Sequence, residues 1–148
     1  MIFRELINAS VQAKNSTEVL AEGAKLLYNG GFVKETYFHA LVVRESKFPT
    51  GLILKNISVA VPHTDRVYVI KPGICVMKMM HPVPFRHMGD PNQIVKADLV
   101  LMMAILNSNE QIDTLKKTVN IFQNQLIIDE FKKAKTDVEL FRVAKKYL

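Results

Sequence analysis

Apolar positions along the first third of the chain recur at helical spacing. After the polar tetrad Asn15-Ser16-Thr17-Glu18, Val19, Leu20, Ala24 and Leu27 share one face, and Gly30-Gly31 closes the run. This predicts a helix capped by Asn15 or Ser16. A second stripe, Tyr37, Phe38, Leu41 and Val42, predicts a helix over about 34–43. That helix must end before Phe48-Pro49, because a residue ahead of proline is pushed out of the α region, and Arg44-Glu45 therefore sits at its end. Phe48-Pro49-Thr50-Gly51-Leu52 reads as a turn.

The period then changes. A strand is predicted over 57–61, a turn at Lys71-Pro72-Gly73, and a strand over 74–80 apolar enough to be covered on both faces. Pro82 and Pro84 bracket a kinked segment, and residues 88–91 form a surface loop. Residues 98–106 are the most hydrophobic run and predict a central strand. Asn107-Ser108-Asn109 ends it and caps a helix carrying Ile112, Leu115, Val119 and Phe122. Residues 126–134 read as a turn. Thr136, with Glu139 three residues on, opens a last helix through a capping box. Helix, helix, strands, helix, helix is most economically an α/β fold with a mixed central β-sheet sandwiched between helices, formed as one domain by residues 1–148.

Composition narrows the setting. No apolar run is long enough to span a bilayer, and Met1-Ile2-Phe3-Arg4-Glu5 lacks the basic-then-apolar order of a signal peptide. Cys75, the single cysteine, lies in an apolar run and reads as a buried small hydrophobe in a reducing cytoplasm. The net charge is +6, of which residues 131–148 supply +4. With no nucleic-acid motif nearby, that segment reads as the solvated face of a terminal helix rather than a site for an acidic partner.

The chemistry centres on Val59-Ala60-Val61-Pro62-His63-Thr64-Asp65. Pro62 cannot continue a ladder, so the strand stops and delivers His63 to a loop at its mouth, where α/β proteins place their sites. Thr64 and Asp65 are candidates to orient one ring nitrogen. The plain alternative is a loop histidine with no task. Gly-rich phosphate loops, paired cysteines and His-Glu-x-x-His are absent. His63, His81 and His87 match no common zinc spacing, so neither a metal nor a cofactor is expected. A neutral imidazole is nucleophilic near pH 7. Arg44 would neutralise a phosphoryl group, and the helix start after Asn109 favours an anion. Together they suit transient phosphorylation of His63.

Arg44-Glu45, Phe48-Pro49-Thr50-Gly51-Leu52 and the Pro62-His63 element, followed in register by Val83-Pro84-Phe85, Met88-Gly89 and Asn109-Glu110-Gln111, resemble the IIA components of the sugar phosphotransferase system, fructose–mannitol superfamily. The resemblance covers nearly the whole chain. It implies a cytoplasmic EIIA domain, type 2, whose His63 takes a phosphoryl group from phospho-HPr. His63 would pass it to a cysteine of the EIIB component, energising sugar import through the membrane component EIIC. It implies phosphorylation at Nε2, with Nδ1 held by a backbone carbonyl or side chain, and Arg44 holding the phosphoryl group. Mannitol-type members carry a second histidine where this chain has Gln111, which can hydrogen-bond but supplies no charge. Phe-Pro-Thr-Gly-Leu and Pro-His-Thr-Asp look most like the galactitol-type branch. The alternative within the resemblance is a regulatory EIIA-like protein that binds targets according to the phosphorylation state of His63. No nucleic-acid partner and no membrane insertion are expected.

Overall fold

The computed structural model describes residues Met1–Leu148. Strand β1 (Ile7–Val11) comes first, followed by helices α1 (Ser16–Asn29) and α2 (Tyr37–Lys47). Then come β2 (Gly51–Ile53), β3 (Ser58–Ala60), β4 (Gly73–Arg86) and β5 (Ile94–Ala104), and the helices α3 (Ser108–Ile121), α4 (Gln125–Lys133) and α5 (Asp137–Tyr147). The five strands form one mixed sheet in the order β1-β4-β5-β3-β2. β1–β4 and β5–β3 pair parallel, while β4–β5 and β3–β2 pair antiparallel.

Alternation along the two long strands builds a core on each side. Cys75 and Met77 of β4 and Val100 and Met102 of β5 face Leu20, Leu27, Tyr37 and Leu41 of α1 and α2. The intervening residues, Val76, Leu99, Leu101 and Met103, face Phe131, Leu140 and Ala144 of α4 and α5. The mixed sheet between two helical layers is the predicted fold class. Cys75 is fully buried, which pushes its thiol pKa up. Tyr37, also fully buried, donates its hydroxyl to the Met103 carbonyl at 3.0 Å and pins the start of α2 to the end of β5.

Several elements differ from the sequence prediction. The chain opens on strand β1, because Ile7, Ala9 and Val11 are drawn in by parallel pairing to β4 rather than by a strong local pattern. α2 begins at Tyr37, not Lys34, since the chain before it is held extended by the antiparallel bridge of Val33 to Val69, with the Lys34 N–H on the Tyr68 carbonyl (2.9 Å), and it runs on to Lys47. The predicted turn at 48–52 contains the start of edge strand β2, paired Gly51↔Ala60 and Leu52↔Val59. β4 passes through Pro82 and Pro84: Pro82 falls in the register shift between Lys78 and Val83, and Pro84 sits in the resumed ladder opposite Lys96. β5 starts at Ile94, four residues before the predicted point. Along α3, Ile112 is exposed and Thr118 takes the buried place.

The predicted turn at 126–134 is instead helix α4. Asn124 caps it by accepting the Leu126 N–H at 3.0 Å, and Ile128 and Phe131, three apart, carry its buried face. Its far end is capped by Lys78 of β4, whose ammonium donates to the carbonyls of Phe131, Lys132 and Ala134 at 3.0, 2.7 and 2.6 Å. The terminal carbonyls of a helix lack internal partners and carry partial negative charge, and one lysine answers both. At α5 the predicted cap is present: Thr136 Oγ1 accepts the Glu139 N–H at 3.1 Å, while the Glu139 carboxylate accepts the Thr136 hydroxyl, also at 3.1 Å, rather than its backbone N–H.

Candidate functional site

β3 stops at Ala60, but the chain stays fastened for two more residues. The Val61 N–H donates to the Thr50 carbonyl at 3.2 Å, and the Pro62 carbonyl accepts from Met103 N–H at 2.9 Å. Pro62 brings no donor, so the ladder ends there and His63 leaves the sheet at the carboxyl ends of the parallel strands β3 and β5.

His63 is half-buried, and its Nδ1 lies 2.9 Å from the Val61 carbonyl. A carbonyl only accepts, so Nδ1 carries the ring proton and Nε2 keeps its lone pair. Burial lowers the His63 pKa; the Val61 carbonyl opposes this and the charge of Arg44 adds to it. The ring is therefore neutral, and its free nitrogen nucleophilic, at neutral pH. The partner of Nδ1 is thus the backbone and not Thr64 or Asp65. Asp65 instead accepts the Val67 N–H at 2.9 Å and caps the 3-10 turn Arg66–Tyr68.

Arg44, His63 and Gln111 line one open cleft of about 320 Å³. Arg44 reaches it from the last turn of α2, with its guanidinium 4.8 Å above the ring of Phe48. Gln111 reaches it from the first turn of α3, which starts at Ser108 because Asn107 caps it, accepting the Asn109 N–H at 2.8 Å. Arg66, Asn107 and Ser108 complete the polar wall, and Ile105 is its single hydrophobic residue. With Arg44 and Arg66 against Asp65, the cleft has a surplus of positive charge. It is shaped for a small, strongly charged anion beside a nucleophilic nitrogen. His81 and His87 are not among the lining residues, and no three His, Cys, Asp or Glu side chains cluster in metal-binding geometry.

Sequence reasoning missed Arg66 and Glu45. Arg66 was signalled by the Asp65-x-Val67 turn three residues after the histidine. Glu45 is buried behind Arg44, where its carboxylate accepts the Thr50 N–H and the Thr50 hydroxyl, each at 2.7 Å. Adjacent helical residues point about 100° apart, and at this phase of α2 Glu45 faces inward while Val43, Arg44 and Ser46 stay exposed.

The family profile described as "Phosphoenolpyruvate-dependent sugar phosphotransferase system, EIIA 2" matches residues 1–147. The galactitol-specific EIIA component of Escherichia coli (strain K12) is 24% identical over 123 residues, 83% of this chain and 81% of that one. The mannitol-specific phosphotransferase enzyme IIA component of Geobacillus stearothermophilus is 27% identical over 143 residues, covering 95% and 92%. Among solved structures, the complex of enzyme IIAMTL and phosphorylated enzyme IIBMTL from Escherichia coli contains a chain that superposes with a TM-score of 0.77. That chain is 23% identical, with 99% of this chain and 98% of the other covered. No helix is long and apolar enough to cross a membrane.

Proposed function

The chain belongs to the EIIA 2 family of the phosphoenolpyruvate-dependent sugar phosphotransferase system, and on that premise we propose that His63 is its phosphoryl carrier. Phospho-HPr is the donor, and a cysteine of an EIIB component is the acceptor. EIIC is reached only through EIIB. The observation that carries this reading is the Nδ1–H of His63 held by the Val61 carbonyl, which leaves Nε2 free in a cleft lined by two arginines.

The Nε2 lone pair attacks the phosphorus of the donor phosphohistidine, and the P–N bond to the donor breaks as the new one forms. The donor imidazole leaves neutral, and the His63 ring takes up the positive charge, stabilised at Nδ1–H by the Val61 carbonyl. No proton has to move. One nitrogen–phosphorus bond replaces another, so the step is close to balanced and the protein's work is positioning and charge. Arg44 and Arg66 offset the two negative charges of the phosphoryl group, and Gln111 donates a hydrogen bond where mannitol-type relatives place a second histidine. Onward transfer reverses the geometry, with a thiolate attacking phosphorus and Nε2 leaving. Phe48, Leu106 and Ile112 are exposed and adjoin Arg44 or the lining residues Ile105, Asn107 and Gln111, supplying an apolar surface that HPr and EIIB would occupy in turn.

Galactitol is the sugar this reading favours, on the Pro62-His63-Thr64-Asp65 and Phe48–Leu52 segments together with the similarity to a galactitol-specific component. The test is incubation with Enzyme I, HPr and labelled phosphoenolpyruvate. Acid-labile label on wild type, absent from folded His63→Ala and discharged by a galactitol-type EIIB, is expected. Label retained by His63→Ala would overturn the site. Label discharged by no EIIB would turn the assignment to phosphorylation-dependent regulation.

A further inference from the structure

A continuous set of hydrogen bonds runs from helix α2 to the reactive ring. Glu45 accepts the Thr50 N–H and hydroxyl at 2.7 Å each, the Thr50 carbonyl accepts the Val61 N–H at 3.2 Å, and the Val61 carbonyl accepts His63 Nδ1–H at 2.9 Å. Every residue before the histidine is buried: Glu45 is 9% exposed, Thr50 2% and Val61 0%. We infer that Glu45 is a positioning residue of the phosphotransfer site, fixing the tautomer of His63 through Thr50 and Val61.

This rests on the assignment of His63 as phosphoryl carrier. Three features give the inference its force. β2 and β3 are only three residues long each and Val61 lies just past the β3 ladder, where the bonds Val61 to Thr50 and Met103 to Pro62 hold the chain. Without the anchor at Thr50, the Val61 peptide loses its partner on the β2 side. The same residue pair also sets Arg44: the inward bond of Glu45 holds the last turn of α2 at the rotation that leaves Arg44 in the cleft wall. Finally, Glu45 does not itself line the cleft, so it acts on the site either through these bonds or through its neighbour Arg44, and the His63 tautomer reports the first route.

A histidine free of such a bond places its proton on either nitrogen, and a ring protonated at Nε2 has no lone pair there to attack phosphorus. Loss of the relay therefore lowers the reactive fraction and loosens the attack geometry, where a misplacement of about 1 Å costs about a hundredfold in rate.

The test uses the whole chain labelled with 15N-histidine. Long-range nitrogen–proton spectra of the unphosphorylated protein report the His63 tautomer, and single-turnover transfer from phospho-HPr reports the rate. Wild type is expected as the Nδ1–H tautomer. Glu45→Ala should show a mixture, with transfer slowed about tenfold or more at saturating HPr and little change in the HPr concentration needed for half-saturation. Glu45→Gln, which keeps an acceptor for the Thr50 N–H, should restore both. Where Glu45→Ala does not fold, Thr50→Ala decides in its place, since it removes the hydroxyl bond alone and should show the same mixing to a smaller degree. An unchanged tautomer and rate in the folded variant overturn the inference. Wild type that accepts no phosphoryl group overturns the carrier assignment instead, and the tautomer spectra still decide the role of Glu45.

Discussion

Glu45 makes stability depend on pH in a direction opposite to that of an acid held in an ion pair. Burial raises its pKa from the ordinary 4.5 to about 7, and the two bonds from Thr50 oppose the rise without cancelling it. Below pH 4.5 the carboxyl is protonated in both folded and unfolded chains. Between 4.5 and 7 the unfolded chain ionises and the folded one does not, so rising pH favours unfolding. Above 7 both are ionised and the full cost is present. At about 1.4 kcal/mol per pKa unit, the cost is about 3 kcal/mol, a large part of a typical stability of about 5–15 kcal/mol.

Arg86 lines the same side cleft as Glu45, between the start of α1 and β4, and the other polar residues there, Asn15, Ser16, Thr17 and Ser46, are uncharged. Glu45→Gln removes the titration and keeps an acceptor. His63 titrates in the other sense, because burial lowers its pKa and stability is lost as pH falls through that value, but both proteins share this contribution. Urea unfolding of wild type and Glu45→Gln across about pH 4.5 to 8 isolates the carboxyl. With a urea slope of about 1.5 kcal/mol per molar, the wild-type midpoint should fall by about 2 M relative to the variant. A difference that stays flat within about 0.5 M would refute the reasoning, and so would one that grows in favour of wild type as pH rises.

Arg44→Ala should slow single-turnover transfer to His63 about 10- to 100-fold, the worth of one charge-assisted bond of about 1.5–3 kcal/mol. It should leave the urea midpoint nearly unchanged, because Arg44 is exposed. Lys78→Met should cost about 2–3 kcal/mol in urea unfolding, since three carbonyls at the end of α4 lose their donor together. Gly51→Ala should cost about 1–3 kcal/mol, because a Cβ there would lie 2.7 Å from the Arg86 carbonyl and 2.9 Å from Val95 Cβ. A thermal midpoint equal to wild type would show that β2 can move away.

The parts of the fold legible in sequence are those where local pattern and tertiary demand agree. α1 and α5 carry strong caps, at Asn15 and Thr136, beside regular apolar faces, and β5 is apolar on both faces because helices cover both. The parts that were not legible depend on distant partners. β1 and β2 are three to five residues long and exist through pairing. β4 continues past Pro82 through a register shift, and the far end of α4 is capped by Lys78 from a distant strand. In the site, Pro62-His63 was visible because proline ends a strand by covalent structure alone. The residues themselves pointed to Thr64 and Asp65 as partners of Nδ1, and a backbone carbonyl entered only through the family resemblance, because a carbonyl two residues back leaves no mark in composition. Glu45 was visible as a letter but not as a buried group, since only the rotation of α2 decides which of two neighbouring charges turns inward.

That rotation bears on how this chain can change length. Helix α2 is held at both ends, by Tyr37 on the Met103 carbonyl and by Glu45 on Thr50. Deleting or inserting one residue between them would turn one end by about 100° against the other. Either the anchor would break, or Arg44 would swing out and a different side chain would enter the cleft. Substitutions on the exposed face of α2 leave this phase untouched, so point changes there should be tolerated where indels are not. The exposed loop between β4 and β5, outside the cleft, has no such phase to keep. Insertions and deletions among relatives should therefore collect in that loop, and the eight-residue step from Tyr37 to Glu45 should stay constant.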